Sequence, residues 1–146
     1  QWRFDKIVRA SQEVSLIMVD VDNFKRINDT HGHNVGDKVL IEIAHLLQSE
    51  LREHDAIARW GGEEFVILLP ATKVEKARVI AQRTCAKIAE HPLVLMGNID
   101  LLISASFGVT YTPQARSLER LVKVADDALY EAKRAGKNCV RVHKIN

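Results

Sequence analysis

Apolar residues recur at a helical spacing in several stretches of the chain. In the stretch 37–51 the apolar residues of one stripe are at 39, 40, 43, 44, 47 and 51, and in 73–90 those in register are at 74, 77, 81, 85 and 88. In 117–135 the stripe consists of 118, 121, 122, 125, 128, 129 and 132. Such stripes predict amphipathic helices that pack one face on a core. Residues 2–10 and 24–29 are predicted to form two shorter helices.

Shorter runs of apolar and β-branched residues predict the strands. Residues 14–19 end in a continuous apolar run, which is typical of a strand buried on both faces. The runs 56–60 and 65–69 flank Gly61-Gly62, a pair that predicts a two-residue hairpin turn because glycine tolerates positive φ. Two further runs, 93–96 and 99–110, flank a Gly97-Asn98 turn, and 140–143 would close the sheet.

The order of these elements, α-β-α-α-β-β-α-β-β-α-β, predicts the fold class. Strands joined by helices and one tight hairpin indicate an α/β sandwich, in which helices pack on a central sheet. A ferredoxin-like β-α-β-β-α-β core accounts for most of this order. Ser117 is expected to cap the start of the last helix, and Gly136 to follow its end.

Composition narrows the class of protein. The 146 residues suit one domain, and 47% hydrophobic with 27% charged residues are typical of a soluble globular protein. A net charge of +2 excludes a strongly basic nucleic-acid-binding domain. No apolar run approaches the roughly 18 residues of a membrane span, and Cys85 and Cys139 are too few for a disulfide scaffold. We therefore expect a cytoplasmic domain that binds neither nucleic acid nor membrane.

Three carboxylates fall where the predicted sheet presents polar groups. Asp20 ends a buried strand, and Glu63 and Glu64 begin the strand after the glycine turn. Successive strand residues face opposite sides, so only one of the two glutamates is expected to converge with Asp20. Paired carboxylates repel unless a cation lies between them, and such oxygen ligands suit Mg²⁺. The alternative is that the glutamates are solvated turn residues.

Basic residues and free backbone amides offer contacts for phosphate. The loop 22–25 leads into a helix, whose first amides can bind phosphate oxygens. Lys133 and Lys137 lie four residues apart, on one face of the predicted last helix, and suit outer phosphates. The alternative is an ordinary basic helix end that complements the helix dipole.

Asn28 and Asp37 flank a turn at His31-Gly32-His33. Guanine presents an N1–H and an exocyclic amine. A carboxylate can accept hydrogen bonds from both groups, and an amide side chain can add a further hydrogen bond. The alternative for Asp37 is a plain residue at a helix start. The two histidines lack a third soft ligand nearby, so no zinc site is predicted.

Four segments form one ordered pattern from about residue 14 to the end of the chain. They are 20–37, written D-x-D-x-F-K-x-x-N-D-x-x-G-H-x-x-G-D with His31-Gly32-His33 at the G-H step; Gly61-Gly62-Glu63-Glu64-Phe65; Ser106-Phe107-Gly108-Val109; and 125–133 with Gly136-Lys137-Asn138. Together they resemble the signature of GGDEF-domain diguanylate cyclases in its GGEEF form. A lone G-G-E-E-F would not carry that resemblance, whereas four motifs in order do.

The resemblance implies an elaborated ferredoxin-like βααββαβ core as in nucleotide cyclases, with a central, mostly antiparallel sheet flanked by helices. It implies that two GTP condense into cyclic di-GMP with release of two pyrophosphates. Each domain would hold one GTP, so a homodimer is needed for catalysis. The chain lacks the D-x-L-T-G-L-x-N-R turn that usually precedes the first helix. We expect a single catalytic domain over residues 1–146, without that turn and without a regulatory domain.

The resemblance also implies roles for individual residues. Asp20, the Val21 carbonyl and Glu63 would hold two Mg²⁺ (or Mn²⁺), and Glu64 would assist there or in deprotonating the 3′-hydroxyl. The substrate-binding residues would be Phe24 and Lys25 through their amides, Asn28 and Asp37 at guanine, Gly61 and Gly62 as bare backbone, and Lys133 and Lys137 at phosphate.

The segment Arg52-Glu53-His54-Asp55 ends shortly before the glycine turn. At this offset it resembles the R-x-x-D site through which the family binds its product, with Arg83 as a further contact. Arginine suits the Hoogsteen edge of guanine or a phosphate. The resemblance thus implies product feedback inhibition.

Two other functions remain open at this stage. One is a catalytically weak module that binds GTP or cyclic di-GMP and passes on a signal, although degenerate relatives usually lose signature acids that this chain keeps. The other is a different nucleotidyl cyclase or a polymerase-like domain, against which Asn28 and Asp37 favour guanine.

Overall fold

The fold is a five-stranded sheet with helices on both faces, beside a separate small hairpin. A computed structural model describes residues 2–95, 97–114 and 117–145. The helices are α1 (Trp2–Ala10), α2 (Phe24–His31), α3 (His33–Gln48), α4 (Val74–Glu90) and α5 (Leu118–Arg134). The strands are β1 (Val14–Val21), β2 (Ala56–Arg59), β3 (Glu64–Pro70), β4 (Leu93–Leu95), β5 (Ile99–Leu101), β6 (Ala105–Thr112) and β7 (Val140–Lys144).

The strand order of the large sheet is β2-β3-β1-β6-β7. β1 lies at the centre and pairs antiparallel with both β3 and β6, and β2 pairs antiparallel with β3. β7 is parallel to β6. The four strands β2-β3-β1-β6 thus form the ferredoxin-like arrangement, to which β7 adds an edge. The predicted fold class is confirmed.

β1 is buried along its whole length, as its continuous apolar run predicts. Its odd-numbered residues, Ile17 and Val19 among them, join the core beneath α3 and α4. Its even-numbered residues Leu16 and Met18 join a second core with α1 and α5. Because side chains alternate along a strand, Asp20 lies on the α1 and α5 side of the sheet.

α5 packs unusually close to β6. A Cβ added to Gly108 on β6 would lie 2.2 Å from the backbone oxygen of Ala125 and 2.4 Å from the backbone nitrogen of Leu129. The helix can approach so closely only because glycine has no side chain. The Ser117 side chain accepts a hydrogen bond from the Arg120 amide at 3.2 Å, which confirms the predicted cap.

The predicted strand over 99–110 is wrong in one respect. The chain leaves the strand direction after Leu101, so β5 pairs with β4 in the small hairpin and β6 starts afresh at Ala105. The break is fixed by Ser104, whose carbonyl accepts the Asp22 amide at 2.9 Å. Of the predicted strand 93–96, residue 96 lies outside the described residues.

Two predicted helix boundaries also shift. α2 continues to His31 and α3 starts at His33, so the two helices meet at Gly32, which has φ of 92°. No helix in the described part of the chain is long and apolar enough to span a bilayer.

Candidate active site

Asp20 is a buried carboxylate near the end of the central strand. It stands opposite Glu64 on β3 and opposite Ser106 on β6, and 5% of its surface is exposed. Lys133 on α5 donates a hydrogen bond from Nζ to its Oδ2 at 2.6 Å. The close packing of α5 on β6 therefore places the Lys133 ammonium at the end of β1. There it pairs with Asp20, whose charge would be costly to bury without a partner.

The signature turn differs from the predicted two-residue hairpin. The Trp60 amide donates to the Glu64 carbonyl at 2.8 Å, so three residues lie between these two positions. Neither Gly61 nor Gly62 is among the described residues with positive φ. The predicted two-residue turn is wrong because the strand pairing ends at Trp60 and Glu64 and leaves three residues in the loop.

Three hydrogen bonds, two of them from Arg59, hold this turn against the rest of the sheet. The Arg59 guanidinium donates to the Gly62 carbonyl, with its Nε at 3.0 Å. The Val21 amide donates to the Glu63 carbonyl at 3.3 Å. The backbone that carries Glu63 is thus joined directly to the end of β1.

Both glutamates feel the charge of Asp20. Glu63 precedes the strand that starts at Glu64, so strand alternation does not force the two side chains apart. Burial raises the pKa of each glutamate, and the neighbouring Asp20 charge raises it further. Glu64 stands directly opposite Asp20 in the pairing of β1 with β3, and the expectation that only one glutamate converges with Asp20 stays a prediction.

The charges at this site are unbalanced. Burial is the main cause of a raised pKa at Asp20, and the Lys133 hydrogen bond and charge offset it only in part. Burial also disfavours the charge of Lys133, but the hydrogen bond and the fields of the three carboxylates outweigh it and raise the pKa of that lysine. Lys133 and Lys137 both act on Asp20, but the charges of Asp22, Glu63 and Glu64 lie nearby as well, which leaves an excess of negative charge that a cation would stabilise.

The donor set fits a hard cation with few protein ligands. In the part of the chain that the structure describes, no group of three or more His, Cys, Asp or Glu side chains is arranged around a metal position. The candidate set of Asp20, Glu63 and the Val21 carbonyl contains only two side chains. Mg²⁺ tolerates such a set because water and phosphate complete its coordination.

Asp22 is a residue that sequence reasoning left without a role. Its buried carboxylate accepts hydrogen bonds at 2.6 Å from the hydroxyls of Ser104 and Ser106, and at 3.0 Å from the Asn138 amide. It thereby ties the loop after β1 to β6 and to the loop before β7. The signal was its spacing of two from Asp20, which predicts a common face.

The sequence predicts that Lys133 and Lys137 share one helical face. This prediction is wrong. α5 ends at Arg134, and Gly136 and Lys137 have φ of 117° and 65°. The Lys137 Nζ instead lies 2.7 Å from Oδ1 of Asn23. One lysine thus lies at the end of β1 and the other at the start of α2.

The first turn of α2 presents its amides on the same side as Lys137. Asn23 precedes the helix in a left-handed conformation, with φ of 56°. The amides of Phe24 and Lys25 belong to the turn that has no intrahelical acceptors. The Lys25 side chain is 92% exposed, and its Nζ lies 3.8 Å from Oδ2 of Asp29. Its backbone amide is therefore the group that Lys25 offers to a ligand at the start of the helix.

Asn28 has a buried acceptor without a partner. Its Oδ1 forms no hydrogen bond within the described residues. It lies where a Cβ on Gly36 would stand, 1.8 Å away, so the absence of a side chain at Gly36 makes room for it. Asp37 is exposed in the first turns of α3, on the helix that faces α2. Both predicted guanine contacts therefore lie on one helical hairpin.

Arg52 and Asp55, both assigned to the expected product site, contact each other. The buried Asp55 carboxylate accepts the Arg52 amide at 2.8 Å and its guanidinium at 3.4 Å. Arg52 also donates to the Thr72 hydroxyl at 2.7 Å. Arg83 differs, because its Nε donates to Glu50. The pattern along the chain gave no signal for either Thr72 or Glu50, since both contacts join distant residues.

Comparison with known proteins agrees with this geometry. Residues 3–139 match the model of the family described as "Diguanylate cyclase, GGDEF domain". Diguanylate cyclase DgcP of Pseudomonas aeruginosa is 46% identical over 134 residues, which are 92% of this chain and 20% of that protein.

Two solved structures show the same fold. The active GGEEF domain of a diguanylate cyclase from Vibrio cholerae has a TM-score of 0.87 at 35% identity, over 99% of this chain and 94% of that one. The GGDEF domain of DgcB from Caulobacter crescentus, in complex with c-di-GMP, has a TM-score of 0.89 at 29% identity, over 96% of this chain and 83% of that one. The chain spans between 20% and 36% of the length of three curated relatives that it matches.

Proposed function

Because the chain belongs to the GGDEF family of diguanylate cyclase domains, we propose that it condenses two GTP into cyclic di-GMP in the cytoplasm. The 3′-oxygen of each GTP bonds to the α-phosphorus of the other. The bond from each α-phosphorus to its leaving oxygen breaks, and two pyrophosphates are released. The observation that carries the proposal is the buried Asp20–Lys133 pair at the end of β1, with Glu63 and Glu64 beside it.

Asp20, Glu63 and the Val21 carbonyl would hold two Mg²⁺ (or Mn²⁺) ions. When bound, the ions would polarise the phosphate and lower the pKa of the attacking hydroxyl. The backbone hydrogen bond between Val21 and Glu63 supports this assignment, because it holds the end of β1 next to the turn that contains Glu63.

The phosphates would lie between the end of β1 and the start of α2. Lys133 supplies charge at one end and Lys137 at the other, and the amides of Phe24 and Lys25 donate between them. Gly61 and Gly62 would leave room for the substrate along the turn. Lys133 then exchanges part of its contact with Asp20 for a phosphate oxygen.

Guanine would enter between α2 and α3. The unpartnered Oδ1 of Asn28 accepts from the base, and the exposed Asp37 carboxylate takes the N1–H and the amine. The Asp37 carboxylate would disfavour adenine, because adenine presents an acceptor at N1 where guanine presents a donor.

We propose that Glu64 accepts the proton that the 3′-hydroxyl loses when it attacks. Burial and the charge of Asp20 raise the pKa of this carboxyl, and a more basic carboxylate is a better proton acceptor. Since one domain holds one GTP, two domains must face each other, and the reaction requires a homodimer.

The segment with Arg52 and Asp55 would bind the product, with Arg83 as a further contact, and inhibit the reaction. Arg52 is oriented by Asp55 and Thr72, so its guanidinium is positioned before a ligand arrives. The complex of the DgcB domain with c-di-GMP supports product binding in a relative.

The test is an assay with GTP and Mg²⁺, on the chain as it is and on a dimer forced by a fused coiled coil. We expect one cyclic di-GMP per two pyrophosphates, and no turnover in Asp20→Asn or Glu63→Gln. Asp127→Asn is the control, because Asp127 is an exposed acid of α5 paired with Lys123. A forced dimer that binds GTP but forms no product would favour the second candidate, a binding and signalling module.

A further inference from the structure

Glu50, just beyond the end of α3, is held by two cations of α4. The Arg83 Nε donates to its Oε1, and the Lys87 Nζ lies 3.5 Å from its Oε2. Only 12% of the Glu50 side chain is exposed, against 55% for Arg83 and 40% for Lys87. The carboxylate is therefore enclosed, while both cations reach solvent.

This contact attaches Arg83 to the chain just before the segment that contains Arg52. Glu50 is two residues before Arg52, so its bond to Arg83 joins α4 to that segment. The Arg52 guanidinium has partners that belong to the segment and its surroundings, namely Asp55 and Thr72. Arg83, in contrast, has a donor committed to a carboxylate that has no part in the proposed product site.

We propose that Glu50 is an internal competitor for Arg83 and thereby sets the affinity of the product site for its anionic ligand. The proposal rests on the proposed function, in which Arg83 contacts cyclic di-GMP. That ligand has two phosphodiester charges, and a phosphate at Arg83 would meet the Glu50 carboxylate. The phosphate and the Glu50 carboxylate would repel each other, and they would share the donors of the Arg83 guanidinium.

Lys87 makes such an exchange possible. When Arg83 turns to a phosphate, Glu50 keeps a cation at 3.5 Å. An enclosed carboxylate without any partner would be strongly destabilising. Here Glu50 would lose the contact with Arg83 and keep the one with Lys87. The competition therefore weakens ligand binding without preventing it.

The experiment is isothermal titration of cyclic di-GMP into the wild-type chain and into Glu50→Gln and Glu53→Gln. Glu53 is the matched control, since it is an exposed acid of the same segment and its substitution changes the net charge equally. We expect Glu50→Gln to tighten binding about fivefold, the scale of one partly exposed charge contact. Glu53→Gln should change it less than about twofold, because exposed charges are well screened.

Arg83→Ala tests whether the gain passes through Arg83. In that background Glu50→Gln should no longer tighten binding, since the competitor has lost its target. Thermal unfolding checks that each variant is folded, and Glu50→Ala serves as a second variant if the glutamine retains the hydrogen bond to Arg83.

Four results would overturn the proposal. Equal tightening by Glu53→Gln would mean a general charge effect, and weaker binding by both Glu50 variants would mean that Glu50 orients Arg83 for the ligand. If the wild type binds and Arg52→Ala does not, an unchanged affinity in both Glu50 variants overturns the role of Glu50 alone. If neither the wild type nor Glu50→Gln binds cyclic di-GMP, the proposed product site fails as well.

Discussion

The Nζ atom of Lys133 lies 2.6 Å from Oδ2 of Asp20, although the residues are 113 positions apart. The contact joins the last turns of α5 to the end of the central strand. It depends on the close approach of α5 to β6 at Gly108. The candidate active site is therefore a consequence of how one helix packs, and not of a local motif.

Lys133→Met should reduce cyclic di-GMP formation by on the order of 100-fold, the usual cost of removing one charged donor from a reacting phosphate or oxyanion. The variant removes both the phosphate contact and the partner of Asp20. Lys123→Met is the control, because Lys123 lies on the same helix in an exposed pair with Asp127. Initial rates with the forced dimer measure the effect, and equal activity of the two variants would contradict the assignment.

Arg59→Gln should lower kcat about tenfold while the affinity for GTP changes little. Without the guanidinium the Gly62 carbonyl loses its donors, and the turn that carries Glu63 loosens; small misplacements cost this much in positioned catalysis. Arg141→Gln is the control, an exposed arginine whose hydrogen bond goes to the neighbouring Val140 carbonyl. A loss of GTP affinity with unchanged kcat would refute a positioning role. Arg59→Lys should restore only part of the rate, because lysine lacks the planar fork.

Much of the fold follows from local pattern. The apolar run before Asp20 predicts a strand buried on both faces, and the stripe of α5 predicts its buried face. Ser117 marks the start of that helix and Gly136 follows its end. Each of these features is decided within one or two helical turns, so the sequence displays it directly.

The remainder depends on contacts between distant residues. Gly61-Gly62 indicates a tight turn, but the Val21 amide, on another strand, also binds the Glu63 carbonyl at the end of that turn. Gly136 at a helix end already implied that Lys137 leaves the helical face, and this implication conflicts with a common face for the two lysines. The bond between Glu50 and Arg83 spans 33 positions and leaves no local pattern.

Gly108→Ala should destabilise the fold by about 1–3 kcal/mol, the usual cost of overpacking a core. The new Cβ would lie 2.2 Å from backbone of α5, which cannot yield as a flexible side chain can. Gly62→Ala is the control for stability, because its Cβ would meet nothing within 4 Å. Urea unfolding curves measure the difference, and equal midpoints would show that α5 can shift without cost.

Arg52→Ala should raise the cyclic di-GMP concentration for half-maximal inhibition by at least about tenfold. The substitution removes the guanidinium that Asp55 and Thr72 orient, and a guanidinium contact to guanine or phosphate is worth about 1–3 kcal/mol. Inhibition curves at fixed GTP measure the effect. Unchanged inhibition would remove this segment from the proposed product site.

The stability of the domain should depend on pH through Glu50. The hydrogen bond from Arg83 is the main cause of a pKa below the usual 4.5 at Glu50, and the charges of Arg83 and Lys87 lower it further. The folded state thus holds this proton less tightly than the unfolded state does. The stabilisation is complete above the unfolded pKa and is lost as pH falls through the lower folded pKa.

Urea unfolding of the wild type and of Glu50→Gln between pH 7 and about pH 3 tests this dependence, since this range spans the usual pKa of 4.5. The wild type should be more stable by up to about 1 kcal/mol at neutral pH. The difference should shrink below about pH 4.5 and vanish once the carboxyl is protonated in both states. High salt should reduce it as well, because both cations reach solvent. A difference that stays constant across this range would mean that the contact contributes through packing and not through charge.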